Sequence, residues 1–466
     1  MLGSRDTELR RLCWAFVEAA TGQFVAIGIW PRPPASRLLR LGKDFVYDDL
    51  AHLREFRTLC DWVRADSTLE AMYWKGTDGS GFAHIWFSLV TRTLATSSGA
   101  EPDRKAFSRQ FRLLLKELYR PTARMRSVTM LVGLNLSVRK LTLDARTSIV
   151  DLPWLPRLAG QLLDGQFGSH YSVVPGPDVN TALVTELRIK KEDFLQVARR
   201  EVDHLSKRLA LETAMWLYSE GVVQGHTNYE LHVASFPFIE GFSWESHDER
   251  SRHGSLDWGE VPATIGRSDI QKVVRLWREL MEAHYGQPLE PLTLDNRLWV
   301  AISRFRESYE RLGWVDNLVD LTIALEALFG SKDPRETTKR LQLRTAFLLG
   351  ATAEEARRIY KRVGILYDIR SRILHGNIPR REEYGRWLKA LTGKTPPNPY
   401  ELSSLLPEAV TVARELVRRS IRGCLRLSRY PDGGPIWPLP DDFDQHMATP
   451  QGKQTWQGAF RQAERP

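Results

Sequence analysis

The strongest constraint on the fold is a change of pattern near Trp299, after which the chain reads as consecutive amphipathic helices. The predicted helices cover residues 299–329, 335–349, 352–375 and 407–428. Glycine is common just past a helix C-terminus, and one glycine follows each of the first three segments. Four such helices in succession predict an all-α four-helix bundle over residues 298–430.

The chain before this bundle has a mixed pattern. β-Branched and aromatic runs predict strands at residues 128–138, 141–143, 181–189 and 231–238. Helical periodicity covers residues 103–119, 191–218 and 268–285. Aromatic-rich segments at 70–74 and 82–89 flank the glycine-rich residues 76–81, a pattern typical of a hairpin. We therefore predict an α+β multidomain protein: a mixed α/β region of one or two lobes at 1–290, the bundle, and a loose tail at 431–466 rich in Pro, Gly, Gln and Asp.

The charge of the chain is concentrated in the predicted bundle. The whole protein has 466 residues and a net charge of +9. Residues 299–428 contain 24 Lys and Arg against 15 Asp and Glu, so this segment holds the entire excess. A localised basic excess favours a polyanionic partner such as RNA, although a basic surface can also serve solubility alone.

Targeting signals are missing from the sequence as given. No apolar run approaches the ~20 residues that span a bilayer, and the N-terminus lacks the apolar centre of a signal peptide. We expect a cytoplasmic protein without a membrane partner. Cys13, Cys60 and Cys424 are too few and too far apart for a disulfide framework or a thiolate metal site.

Arg370 lies on the apolar face of the third predicted helix. That face is formed by residues at helical spacing: Ala356, Ile359, Tyr360, Val363, Leu366, Tyr367 and Leu374. At about 100° of rotation per residue, Arg370 falls about 20° from the middle of the face, and Arg372 falls on the opposite side. Arginine stays charged at working pH, so Arg370 needs a carboxylate, a phosphate or a partner surface there. Asp316, Asp320 and Glu326 on the first predicted helix are candidate carboxylates, in an internal salt bridge or a site.

His375 follows Arg370 with R-x4-H spacing. Such pairs also arise by chance in a chain with many arginines and 11 histidines, as Arg199 and His204 show. On a continuous helix the two side chains would diverge by about 140°, unless the helix ends at His375 as Gly376 predicts. A histidine there can donate or accept a proton near neutral pH, or it can cap the helix without any chemistry.

The segment from Leu318 to Asn377 resembles the HEPN superfamily, in particular its Apea-like branch. The likeness rests on four blocks: Ala324–Phe329 (ALEALF), Glu336–Arg340 (ETTKR), Leu343–Ala346 (LRTA) and Tyr367–Gly376 (YDIRSRILHG). The resemblance implies a dimer-forming helical bundle whose active members are metal-independent endoribonucleases, often in antiviral or toxin systems. It assigns Arg370 and His375 as catalytic. Ser371 stands where such proteins often have Asn, Asp or His.

Together, these patterns predict a homodimeric endoribonuclease, with Ser371, Glu326, Asp316 and Asn377 as supporting residues. Histidine can move protons at an RNA phosphate and arginine can stabilise its charge, so neither a metal nor another cofactor is expected. An antiviral or abortive-infection role, with residues 1–290 sensing a phage or host trigger, follows from the resemblance alone. The alternative is a non-catalytic RNA-binding or scaffold protein in which Arg370 and His375 hold the dimer together.

Other motifs support no further function. His247, Asp248 and His253 match no standard metal spacing, which predicts a solvated loop. The glycine-rich residues 76–81 lack the following Lys-Ser or Lys-Thr of a phosphate loop. The basic helix at 190–208 is interleaved with acids, as on an exposed helix face. No motif predicts a separate enzyme in residues 1–290.

Overall fold

A computed structural model describes most of the chain. The described residues are 4–26, 52–73, 86, 89–90, 92–94, 96–97, 101–151, 179–190, 197–219, 221, 223–232, 243–245, 262–285, 297–311, 313–330, 337–377, 380–395, 399–428, 437–440 and 442–465. The chain forms two compact units. The first contains residues 1–208, 224–259 and 264–267, and the second contains 209–223, 260–263 and 268–466. This division differs from the predicted one, because residues 209–223 and 268–285 group with the bundle region.

The first unit begins with a helical cluster. Its helices are α1 (Ser4–Ala26), α2 (Arg54–Arg64), α3 (Ser67–Tyr73) and α4 (Arg104–Leu118). They share a core that includes Phe16, Leu59, Trp86 and Phe111. The predicted hairpin is wrong: residues 67–73 are helical, and so are Trp86, Leu89 and Val90. Trp86 is buried in this helical core, so its β propensity gives way to packing there. The predicted turn at residues 76–81 lies outside the described residues.

The first unit also contains a six-stranded antiparallel sheet. Its strands are β1 (Thr122–Val132), β3 (Lys140–Thr142), β4 (Thr147–Asp151), β5 (Val179–Lys190), β6 (Gln224–His232) and β7 (Ser243–Glu245), in the order β3-β4-β5-β1-β6-β7. The short strands β2 (Leu134–Leu136) and β8 (Ala263–Ile265) form a separate pair. The predictions of strands at 141–143 and 181–189 are confirmed by β3 and β5. The predicted strand 128–138 is instead divided between β1 and β2, because Gly133 has a positive φ of 77°. Residues 233–238 of the fourth predicted strand lie outside the described residues.

Helix α5 (Val197–Tyr218) is joined to the central strands by a buried histidine. His204 Nε2 lies 2.7 Å from Thr129 Oγ1 of β1, and its Nδ1 lies 3.1 Å from Thr185 Oγ1 of β5. A neutral imidazole can donate from one nitrogen and accept at the other, so both contacts are hydrogen bonds. Residues 197–208 of α5 belong to the first unit, and residues 209–218 belong to the second.

The second unit is helical. Its helices are α6 (Ile270–Leu280, continued by a π-turn at Met281–Tyr285), α7 (Arg297–Glu310), α8 (Trp314–Phe329), α9 (Thr337–Leu349), α10 (Ala353–Leu374), α11 (Arg381–Thr392), α12 (Leu406–Leu427), α13 (Phe443–Ala448) and α14 (Pro450–Glu464). Helix α8 is central and packs against α7, α9, α10 and α12. With the sheet of the first unit, these helices make the protein α+β.

Two features of the predicted bundle need correction. Residues 299–329 form two helices instead of one. Helix α7 ends at Glu310, and α8 begins after its N-cap residue Gly313, which has an extended backbone. Helix α11 was not predicted; its N-terminal turn is strongly charged, and its three buried residues Trp387, Leu388 and Leu391 give only a short apolar pattern. The predictions for α9, α10 and α12 are confirmed.

The predicted loose tail is also wrong for the part that is described. Helices α13 and α14 bury Phe443, Trp456 and Phe460. The Phe460 ring lies 6.1 Å from that of Phe329, and Asp444 forms a two-point ion pair with Arg344 at 2.7 and 2.9 Å. Aromatic residues spaced along a short helix supply enough apolar surface to order this segment despite its polar composition. None of the described helices is both long and apolar enough to cross a membrane.

Candidate functional site

The candidate site lies where α10 ends. Thr352 caps the start of this helix by accepting a hydrogen bond from the Glu355 amide at 3.1 Å. At the other end, His375 is the C-cap and Gly376 adopts a left-handed conformation with φ of 69°. The Asn377 amide donates to the Arg372 carbonyl at 2.8 Å, and the Gly376 amide donates to the Ile373 carbonyl at 3.0 Å. This pair of bonds is a Schellman motif, which fixes the helix end at the predicted position.

Arg370 is held by Glu326 of α8. Its Nη2 lies 3.1 Å from Glu326 Oε2, and the two side chains are 25% and 17% exposed. Four residues earlier on both helices, Thr322 Oγ1 donates to the Leu366 carbonyl at 3.2 Å. The two contacts keep the same residue offset, so α8 and α10 run parallel here. The Arg370 guanidinium also lies 5.9 Å from the Tyr367 ring centroid, and its Nε is buried with no hydrogen-bond partner among the described residues.

The other two candidate carboxylates do not reach Arg370. Asp320 is buried and pairs instead with Arg304 at 3.1 Å and Arg311 at 2.5 Å. Asp316 is exposed in the first turn of α8, beside the N-cap Gly313. It precedes Glu326 by ten residues, or about 15 Å along the helix axis. Of the predicted acids, therefore, only Glu326 lies with Arg370.

Burial raises the pKa of the Glu326 carboxyl, and the nearby Arg370 charge only partly offsets this effect. Burial thus disfavours the ionised form of this carboxyl, whereas the arginine favours it. If Glu326 takes up a proton, Arg370 loses the only carboxylate that pairs with it in the described structure. The carboxyl therefore holds Arg370 in place through a contact that protonation would weaken.

His375 is exposed and lies past the last turn of α10. Its amide donates to the Ser371 carbonyl at 3.2 Å. Its ring has no hydrogen bond or ion pair within the described part of the chain, and no such contact joins it to Arg370. Ser371 is half-buried, and Asn377 is exposed. The structure thus places Arg370, Ser371, His375 and Asn377 at one helix end, with Glu326 alongside and Asp316 apart.

The opposite side of this helix end contains a cluster that the sequence did not predict. Arg372 pairs with Glu383 of α11 at 2.5 Å, and its guanidinium lies 5.3 Å from the centroid of the Trp387 ring. Burial raises the pKa of Asp368 on the same side, with Arg372 opposing the effect and Glu383 adding to it. The helical period predicts that Arg372 lies opposite Arg370. The partners of Arg372 lie on α11, so they could not be predicted without that helix. The Trp387, Leu388 and Leu391 spacing was the available signal for that helix.

Helix α10 also has a basic patch nearer its N-terminus, formed by Arg357, Arg358, Lys361 and Arg362. Burial, with a smaller contribution from the neighbouring Arg358 charge, lowers the pKa of Arg362. None of the four forms an ion pair with an acid among the described residues. This basic patch can therefore contact an anionic polymer along the same helix that ends at His375.

Comparison with protein-family models, curated proteins and solved structures gave no match. Among the described residues, no three His, Cys, Asp or Glu side chains group as metal ligands. His247, Asp248 and His253 lie outside the described residues. The chemistry of the site therefore rests on its own side chains.

Proposed function

We propose that the protein is a metal-independent endoribonuclease of the HEPN superfamily that acts in the cytoplasm as a homodimer. The main support is the end of α10, where an exposed histidine without a side-chain partner in the described structure follows an arginine held by one carboxylate. The net charge of +9, all of it within residues 299–428, suits an RNA substrate.

The proposed reaction is an internal transfer at the RNA phosphate. The 2′-hydroxyl loses its proton to a base and attacks phosphorus, while the P–O5′ bond breaks and the 5′-oxygen takes up a proton. The products are a 2′,3′-cyclic phosphate and a 5′-hydroxyl. His375 supplies proton transfer, and Arg370 stabilises the added charge on the phosphorane. One histidine cannot easily serve both faces of the phosphate, so the homodimer pairs two such sites.

The test is cleavage of total RNA by the full-length protein in EDTA, with analysis of the new RNA ends. We expect cyclic-phosphate ends from the unmodified protein and a loss of about 100-fold or more in rate for His375→Ala. His52→Ala is the matched control, because His52 is an exposed histidine outside the site. Unchanged cleavage by His375→Ala, or cleavage that EDTA abolishes, would contradict the proposal.

One observation favours a second candidate function, a non-catalytic RNA-binding or scaffold protein. The Arg370–Glu326 ion pair joins α8 to α10 and is sufficient by itself to explain an arginine on an apolar helix face. This candidate predicts that the protein binds RNA without cutting it. It also predicts that His375→Ala leaves RNA binding unchanged.

The proposal also includes a regulatory role for residues 1–290, which contain the first unit. We assign to residues 1–290 the detection of a phage or host trigger in an antiviral response. The support is indirect, because it comes only from the resemblance of residues 318–377 to bundles that follow variable sensor regions. A cleavage assay in which the full-length protein cuts RNA only after a phage extract is added would support this role, and equal cleavage with and without the extract would contradict it.

A further inference from the structure

A cleft of about 340 Å³ lies between α1 and α4 in the first unit. Helix α1 contributes Thr7, Arg10, Arg11 and Trp14, and α4 contributes Arg104, Phe107 and Ser108. Three arginines and two aromatic rings therefore face one small volume. Its size is at the lower end of the range of pockets that bind small molecules.

Two of the three arginines are not neutralised. Arg10 Nη2 donates to Ser108 Oγ at 2.6 Å, and a hydroxyl carries no charge. The Arg104 guanidinium lies over the Trp14 ring, 5.3 Å from its centroid. Neither arginine pairs with an acid among the described residues, whereas Arg11 pairs with Glu8 at 2.7 Å. Within the described part of the chain, the cleft therefore has two positive charges that no acid pairs with.

The geometry of these arginines suits a phosphate. A guanidinium that stacks on an indole uses its flat face, so the N–H groups around its rim stay available for hydrogen bonds. Ser108 lies one helical turn after Arg104, so its contact with Arg10 brings the Arg10 guanidinium to the same face of α4 that Arg104 occupies. Two arginine charges at one cleft repel each other, and a bound anion would replace this unfavourable electrostatic energy with attraction to both. Phosphate can accept from both planar groups.

The remaining wall of the cleft is aromatic. The Trp14 and Phe107 rings meet edge to face, with centroids 5.0 Å apart and an interplanar angle of 65°. Trp14 Nε1 is buried without a hydrogen-bond partner in the described structure. Aromatic surface next to phosphate-binding arginines is the combination that recognises a base linked to a phosphate.

We propose that this cleft binds a free nucleotide, with its phosphates on Arg10 and Arg104 and its base against Trp14, whose ring is supported from behind by the buried Phe107. The site consists of α1 and α4 only, and it does not rest on the proposed ribonuclease activity. A cleft of about 340 Å³ fits one nucleotide better than a longer strand.

The test is calorimetric titration of the full-length protein with ADP, adenosine and inorganic pyrophosphate. ADP should bind more tightly than either fragment, because only ADP has both the phosphates and the base. Arg104→Gln should weaken ADP binding by about tenfold or more, through the loss of a charged hydrogen-bond donor. Arg109→Gln is the matched control, since Arg109 is exposed on the same helix but does not line the cleft. It should change the affinity by less than about twofold.

Three results would overturn the proposal: no binding of ADP at millimolar concentration, equal affinities for Arg104→Gln and Arg109→Gln, or pyrophosphate binding as tightly as ADP. A ten-nucleotide RNA that binds through Arg104 more tightly than ADP would also overturn it, in favour of a strand-binding site. Circular dichroism and thermal unfolding of each variant verify that a lost affinity does not reflect a lost fold.

Discussion

Arg370 and Glu326 depend on each other for charge balance. At 25% and 17% exposure, neither side chain is well placed to regain full hydration if its partner is removed. Glu326 has a raised pKa because of burial, so its charged form is already disfavoured in the folded protein. A folded-state pKa above the unfolded value stabilises the fold at low pH, and that stability is lost as the pH rises through the folded pKa.

This balance predicts a non-additive pair of substitutions. Arg370→Ala should lower the free energy of unfolding at pH 7 by about 1–2 kcal/mol, because it leaves a partly buried carboxylate alone. The loss of unfolding free energy should become smaller as the pH falls and Glu326 takes up a proton. Adding Glu326→Gln should restore much of the loss at pH 7. Urea denaturation of the two single variants and the double variant measures the coupling, and strictly additive effects would contradict the prediction.

His204 predicts a second pH effect, of known sign. Burial, helped by the charges of Arg208 and Lys207, lowers the pKa of His204 to about 3 from its ordinary value of 6.5. The unfolded chain thus binds a proton that the folded chain excludes, so the stability from this group is complete above pH 6.5 and falls on acidification. Unfolding free energies of the protein and of His204→Gln should diverge in slope by about 1.4 kcal/mol per pH unit below pH 6.5. Parallel pH profiles in urea denaturation would disprove this assignment.

The sequence located Arg370 on the inner face of its helix but not its partner. Asp316, Asp320 and Glu326 all lie on or beside one stripe of residues 299–329, so periodicity alone could not separate them. The parallel alignment of α8 with α10 determines which acid pairs with Arg370. In this alignment Thr322 contacts Leu366, and Glu326 contacts Arg370. Such a register depends on packing between helices and has no local signal.

At the scale of helices, the sequence predicts a helix end where a capping residue marks it. It does not predict an interruption between two helices whose apolar pattern is continuous. Thr352 and Gly376 define α10 by local chemistry. Between α7 and α8 the apolar stripe continues across the break, so residues 299–329 read as one helix. Gly313 at the break has an extended backbone with φ of −84°, a conformation that any residue can adopt, so it gives no local signal for the break.

Two glycines in neighbouring helices predict opposite responses to the same substitution. A Cβ on Gly423 of α12 would lie 2.3 Å from the buried ring of Phe460, so Gly423→Ala should lower the unfolding free energy by about 1–3 kcal/mol. Gly458 of α14 has nothing within 4 Å of that position. Gly458→Ala should raise the stability by about 0.5–1 kcal/mol, because alanine favours the helix. Thermal unfolding of both variants tests the close contact of α12 with α14, and equal shifts would argue against it.

At the scale of the whole molecule, contacts between residues far apart in the chain decide which segments group together. Trp216 of α5 stacks on Tyr309 with ring centroids 4.6 Å apart, and Arg418 Nε donates to the Trp216 carbonyl at 2.7 Å. Arg422 donates to the Leu217 carbonyl at 3.0 Å. These contacts bring residues 209–218 into the second unit. Sequence composition predicted the basic character of residues 299–428 and the α+β class, but it offered no sign of such long-range grouping.

The docked C-terminal helices have a practical consequence for dissection of the protein. A version that stops at Ser428 would uncover the Phe329 ring and leave the Arg344 guanidinium without Asp444. It would also remove Glu464, whose carboxylate accepts two hydrogen bonds from the Arg419 guanidinium at 2.7 and 3.0 Å. The helices that contain Arg370 and His375 should therefore be produced together with residues 437–465, since a shorter product would be prone to misfold and aggregate before any activity could be assayed.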